Sequence, residues 1–189
     1  MTAEQPHLVL VRHGETAWSR DRRHTGRTDI PLTPLGEAQA AGLAPRLAGW
    51  KFSRVLVSPL TRARRTAELA GLEGPETTGD LLEWDYGDYE GRTTAAIRED
   101  HPGWELFADG VPGGETVHQV ASRADRVIAV ARAGVGDVAV VAHAHLLRVL
   151  AVWWLGVDPA NARYLVLGPA SVSVLGWERT QPVLEHWNT

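Results

Sequence analysis

The chain has 189 residues and no cysteine, a length that suits one domain with a sizeable core and a composition that removes disulfides, thiolate metal sites and cysteine nucleophiles together. Lys and Arg number 19 against 23 Asp and Glu, a formal charge of −4, so nothing global favours nucleic acid or an anionic membrane, and any anion site must be a local cluster of positive groups. The start, MTAEQPH, lacks the basic region and apolar run of a signal peptide, and no apolar stretch reaches membrane-spanning length; a cytoplasmic protein is the expectation.

In chain order, His7–Val11 is an apolar run that predicts a buried strand, and it stops abruptly at Arg12–His13–Gly14–Glu15. Thr33 as N-cap and Pro34 at N1 open an alanine-rich helix that Pro45 should kink or end. Arg54–Ser58 predicts a second strand, followed by a helix over Leu60–Ala70 with Gly71 closing it, and then a short strand at ETT. Residues 81–114 are rich in Asp, Glu, Gly, Pro and Trp, which predicts a cleft-covering loop region with one short helix at Thr94–Asp100. Val117, Val120, Ala124, Val127 and Ala131 fall on one face of a long helix ending at Gly134. Asp137–His143 predicts another buried strand, Leu146–Trp154 a helix, and the segments RYLVLG, SVSVLGWE and QPVLEHW three closing strands.

Strands separated by helices imply crossovers, hence an α/β fold: a three-layer αβα sandwich around a mostly parallel sheet, in a single domain over 1–189. Ligands in such sheets bind outside the carboxyl ends of the strands. Three strand ends then nominate Arg12 and His13, Ser58 through Arg62, and His143 through His145. These would form a local anion pocket, aided by the positive ends of the helices that follow. A lone arginine is more often a solvated charge. Arg12–His13 directly after a buried strand is different, because placing both groups there carries a desolvation penalty that a bound anion offsets.

The blocks RHGETAW, HTGRTDIPLTPLGEAQA, SPLTRARRTAEL, LLEWDYGDYEG and VVAHAHLLRVL, in that order over nearly the whole chain, resemble the histidine phosphatase superfamily, also called the phosphoglycerate mutase-like family. The resemblance implies that fold and a division of labour. His13 would be the nucleophile that becomes a phosphohistidine. Arg12, Arg62 and His143 would hold the phosphoryl oxygens, with the nearby cations keeping His13 neutral and the bound phosphate favouring an imidazolium at His143. The pattern E-x-x-x-G-x-x-E-G falls on Glu83, Gly87, Glu90 and Gly91, which makes Glu83 the general acid, with Asp85 and Asp88 as rivals and Glu90 as a structural acceptor. Thr25 and Gly26 match the phosphate-side loop, or else form an ordinary turn. Ser19, Tyr86 and Ala144 complete the implied phosphate and substrate contacts, and Trp84, Tyr86 and Trp104 are candidate walls for the rest of the substrate.

The chain departs from the mutases at Trp18–Ser19, where they have tryptophan–asparagine, at Ala144, where glycine is common, and in its shorter length. Its HTGRTD is closer to the acid phosphatase and sugar-bisphosphatase branch. The implied function is therefore hydrolysis of small phosphomonoesters, sugar phosphates or glycolytic-type acids, with no cofactor and no metal. A cofactor-dependent phosphoglycerate mutase is the alternative. A metal hydrolase built on His143-x-His145 and a non-catalytic phosphate-binding module stand further off. No G-x-x-x-x-G-K-[ST] loop is present to suggest an ATPase. The expected partner is a small phosphorylated metabolite, with no nucleic acid and no membrane; a homodimer stays open and would be marked by an exposed tryptophan-rich face.

Overall fold

The computed structural model describes residues 5–189; the first four residues of the MTAEQPH segment lie outside them. Six strands form one sheet: β1 (Leu8–Arg12), β2 (Arg54–Val57), β3 (Pro75–Thr77), β4 (Val138–Ala142), β5 (Val172–Glu178) and β6 (Gln181–His186), in the order β3-β2-β4-β1-β5-β6. The pairs β1–β4, β2–β4 and β2–β3 are parallel, whereas β5 and β6 add an antiparallel edge. The sheet is mixed and mostly parallel, as expected for crossover connections. Among the described residues eight α-helices accompany it: α1 (Ala17–Arg20), α2 (Pro34–Ala41), α3 (Ala44–Leu47), α4 (Thr61–Leu69), α5 (Thr94–Asp100), α6 (Leu106–Asp109), α7 (Val117–Ala133) and α8 (Ala144–Trp154). Among the described residues no helix is long and apolar enough to cross a membrane.

The period-2 alternation of the strands sorts the core into two halves. Leu8, Leu10, Leu56, Val138 and Val140 pack with the buried faces of α7 and α8 on one side. Val9, Val11, Val55, Val57 and Val141 pack with Leu43, Leu47, Ala63 and Ala67 on the other. Both faces are covered, so the central strands are buried throughout and read as continuous apolar runs.

Most elements fall where the periodicity places them, and the differences have physical causes. The first strand runs one residue further than expected, so Arg12 itself pairs with Ala142 across the sheet. Pro45 does not end the alanine-rich helix. That helix stops at Ala41, and Pro45 sits in the first turn of α3, where its missing N–H is harmless. The last helix begins at Ala144 with His143 as its N-cap, so His145 lies on a helix rather than beside His143 on a strand face. RYLVLG is not a strand. Tyr164 ends a 3-10 turn that starts at Pro159, Val166 is exposed, and the carbonyls of Val166 and Leu167 accept from the Trp187 indole and the Arg12 guanidinium instead of from a neighbouring strand. Among the described residues no tryptophan is an exposed large apolar side chain, so they present no tryptophan-rich face.

The turn after β1 is held by close backbone contact. A Cβ on Gly14 would lie 2.2 Å from Gly36 O, and a Cβ on Gly36 would lie 2.0 Å from Glu15 O. Both are far inside van der Waals contact, so the loop bearing His13 and the first turn of α2 fit only as glycines. Gly36→Ala is expected to destabilise by about 1–3 kcal/mol through overpacking. Gly49→Ala, where a Cβ meets nothing within 4 Å, should be neutral within about 0.5 kcal/mol. Thermal melts of the two variants check the contrast; equal melting temperatures would contradict it.

Candidate active site

Parallel pairing of β1, β4 and β2 brings their carboxyl ends to one edge, where a cavity of about 240 Å³ opens. Arg12 and His13 form its inner part, and Glu83, Tyr86 and Ala144 lie along its wall. Ser19 and Thr25 also line it. Of the residues expected at the site, Arg62 and His143 are fully buried and sit behind this lining. The His13 and His143 rings meet edge to face, with centroids 5.1 Å apart.

His13 Nδ1 lies 2.7 Å from Gly14 O. A carbonyl only accepts, so Nδ1 carries the proton and Nε2 carries the lone pair. Nε2 has no hydrogen-bond partner and is not sealed from the cavity. Burial, then the charges of Arg12 and Arg62, hold the His13 pKa well below that of free imidazole. The ring is therefore a neutral base with a fixed tautomer.

Arg12 donates through Nη1 to Leu167 O, while its buried Nε has no partner. Burial lowers its pKa to about 10, opposed by the Glu83 charge; the guanidinium stays charged near neutrality. An unsatisfied buried donor costs about 1–3 kcal/mol, and an anion in the cavity reduces that cost through its charge. Arg62 is more committed: Nε donates to His143 Nδ1 at 3.2 Å, Nη1 to Thr28 O at 2.9 Å, and Nη2 to Gly26 O at 2.7 Å and Thr25 O at 3.3 Å. Four of its five N–H donors are thus used, leaving one.

His143 accepts from Arg62 at Nδ1, and its Nε2 lies 2.7 Å from Ser58 Oγ. Burial first, then Arg62 and His13, depress its pKa well below the usual value. The sequence led to an imidazolium at His143 once phosphate binds. In this arrangement a proton at Nδ1 must first break the bond to Arg62, so the unliganded ring is neutral.

Glu83 is buried and accepts three backbone N–H groups: Trp84 and Leu146 at 2.9 Å and His145 at 3.1 Å. Those bonds favour the carboxylate, but burial outweighs them and raises the pKa. A carboxylate has about four lone-pair sites, so one remains for a proton. The first turn of α8 gives two of its orphan N–H groups to Glu83, and among the described residues the Ala144 N–H is left at the cavity wall. Ala144 has no positive φ, so alanine serves here without strain.

Three expected roles are corrected. Gly26 N–H donates to both oxygens of Glu90, at 2.9 and 3.0 Å, and a Cβ there would lie 2.5 Å from Glu90 Oε2 and Trp84 O. Its small size serves packing, not approach to an oxyanion. The Ser19 hydroxyl lines the cavity but is engaged with Thr16 in the capping box of α1. Trp84 and Trp104 are core residues, with indole N–H groups bound to Glu115 O and Gly110 O, so neither walls the cavity.

Tyr86 does line it, hydrogen-bonded to His145 Nδ1. His24 was not expected and lies on the same wall. Its ring centroid is 4.9 Å from Tyr86 and 5.5 Å from Trp104, and burial pulls its pKa down to about 4. Arg22 and Arg23 also reach the cavity. The signal was the run RRH immediately before Thr25, which reads as solvated charge unless the turn is known to fold over the strand ends. His143 and His145 turn to different partners, Ser58 with Arg62 and Tyr86 respectively; among the described residues no group of three or more histidines and carboxylates has metal-holding geometry.

Known proteins share this arrangement of elements. The chain is 44% identical over 176 residues to an acid phosphatase of Mycobacterium tuberculosis, covering 90% of this chain and 86% of that protein. It is 34% identical over 190 residues to a sedoheptulose 1,7-bisphosphatase of Saccharomyces cerevisiae, covering 82% and 70%. A solved structure of a Mycobacterium tuberculosis open reading frame superimposes with a TM-score of 0.92 at 41% identity, covering 97% of each chain. The model for the histidine phosphatase superfamily, branch 1, matches residues 8–189, and the chain belongs to that family.

Proposed function

We propose that this hydrolase of the histidine phosphatase superfamily acts on small phosphomonoesters, sugar phosphates or short phosphorylated acids, through a phosphohistidine on His13. The observation that carries the reading is the His13 Nδ1–H bond to Gly14 O, which leaves Nε2 as the open lone pair beside Arg12. In the first half-reaction Nε2 attacks phosphorus and the ester P–O bond breaks, while Glu83 delivers its proton to the departing alkoxide. In the second, a water oxygen attacks phosphorus, Glu83 takes back a proton from that water, the P–N bond breaks with its electron pair returning to Nε2, phosphate leaves, and His13 returns to neutral imidazole. Arg12, the remaining N–H of Arg62 and the Ala144 N–H balance the charge on the equatorial oxygens, and His143 orients Arg62 by accepting from its Nε.

The two ionisations set a pH window. His13 must be neutral, and its depressed pKa keeps it so well into the acid range. Glu83 must be protonated, and its raised pKa extends that state upward. Activity is therefore expected to rise through the His13 ionisation and to fall as pH climbs through that of Glu83. Glu83→Gln should lower kcat for an alkyl phosphate by about 10²–10⁴ and abolish the alkaline limb. For 2,4-dinitrophenyl phosphate, whose leaving group needs no proton, the loss should stay under about tenfold. Equal losses on both esters would remove Glu83 from the role of acid.

His13→Ala should abolish turnover to background, and wild type incubated with labelled substrate and quenched with detergent at alkaline pH should keep its label in base and lose it on later acid treatment, as a phosphoramidate does. Rapid-quench labelling measures this, and a label that resists acid would reject the histidine intermediate.

A further inference from the structure

The turn closing α1 is a helix stop with a left-handed residue just past the cap. Arg22 N–H donates to Ser19 O at 3.2 Å and Arg23 N–H to Trp18 O at 2.9 Å, the paired bonds of a Schellman motif. Glycine suits that position because a Cβ is strained there. This chain places Arg22 there, at φ +56°. The strain serves no contact inside the protein. The adjacent carboxylate, Asp21, is taken by Arg20 at 3.0 Å, and among the described residues Arg22 makes no side-chain hydrogen bond or ion pair. Arg23 has one side-chain bond, from Nη1 to Gly91 O at 3.3 Å, and no ion pair.

Both arginines line the cavity, both are exposed, and its one lining carboxylate is the buried Glu83. At about 240 Å³ the cavity holds a phosphoryl group and a few further atoms, so a larger leaving group extends past its mouth. Two unpaired guanidinium groups stand there on a protein with a net charge of −4.

We propose that Arg22 and Arg23 form a second anion subsite, which selects phosphomonoesters whose leaving group carries a carboxylate or a second phosphate. The proposal rests on the phosphatase reading, with His13 receiving the phosphoryl group at the floor while the arginines hold the far end of the same substrate. A planar guanidinium matches either anion. An exposed ion pair gives up to about fivefold in affinity, so the two together give up to about 25-fold, screened by salt.

The test compares kcat/KM within matched pairs: 3-phosphoglycerate against glycerol 3-phosphate, and fructose 1,6-bisphosphate against fructose 6-phosphate. Wild type should favour the doubly anionic member by about ten- to 25-fold at low salt, less at high salt. Arg22→Gly and Arg23→Gln should each cut that ratio about three- to fivefold, mainly through KM. Loss of the ratio in only the first pair assigns the subsite to carboxylates, and in only the second to phosphates. Arg22→Gly should also raise Tm by about 2–4 °C, since glycine relieves the left-handed strain. Arg179, at φ +58° in the turn between β5 and β6, supplies the control: Arg179→Gly should bring the same thermal gain with the ratio intact. Ratios unchanged in both Arg22→Gly and Arg23→Gln overturn the subsite. Turnover surviving in His13→Ala overturns instead the phosphatase reading beneath it, whatever the ratios do.

Discussion

Confinement of positive charge at one sheet edge governs the rest of this molecule. Three parallel strands end side by side, and their ends carry Arg12 with His13, the Ser58–Arg62 turn, and His143. Unit charges about 4 Å apart repel by roughly 4 kcal/mol at an effective dielectric of 20. The structure limits that repulsion by letting only the arginines carry charge. Both histidines are held neutral by burial and by the guanidinium groups themselves. Arg62 is steadied by three loop carbonyls, so its charge faces dipoles rather than a carboxylate that would compete with substrate. The result is a cavity edge whose charge is cationic and borne by guanidinium groups alone.

Glu83 is placed by a second set of interactions. Arg123, reaching from the middle of α7, donates to Asp80 O at 2.9 Å and Leu82 O at 2.7 Å, with a longer contact to Glu83 O at 3.4 Å. Glu115 holds the same guanidinium bidentately, accepting from Nε and Nη2, and also accepts from Asp85 N–H. The loop that bears Glu83 is thus clamped from the helix behind it, while the first turn of α8 fixes the carboxylate from the front. A long side chain in a loop is thus fixed from both sides, as the proposed role of Glu83 in proton delivery would require.

The legible parts of this protein were those where local pattern and tertiary position agree. The buried strands, the helix faces of α7 and the strand-end cluster of Arg12, His13, Arg62 and His143 follow from periodicity and from where α/β sheets bind ligands. RYLVLG misleads for a definite reason. Its apolar residues are covered from one side only, and its carbonyls are claimed by Arg12 and Trp187, so it satisfies its backbone without a strand partner. Trp84 and Trp104 mislead in the opposite direction, since aromatic residues in a polar loop suggest a ligand wall until the loop is seen folding its indoles into the core. His24 was hidden because its importance depends on Tyr86 and Trp104, sixty or more residues away.

The fate of Arg62 links these observations. Its Nε bond to His143 and its carbonyl contacts to residues 25–28 tie the second histidine to the loop whose continuation carries Arg22, Arg23 and His24. Glu90 closes the same loop from the far side through Gly26 and Thr28 N–H groups. Arg62 therefore ties the histidine behind the cavity to the loop at its edge through one guanidinium. Because all but one donor of that group are engaged, the loop cannot shift without breaking bonds in a buried site, each expensive to leave unmade. The fixing of residues 25–28 is thus a consequence of how the Arg62 charge is satisfied behind the cavity.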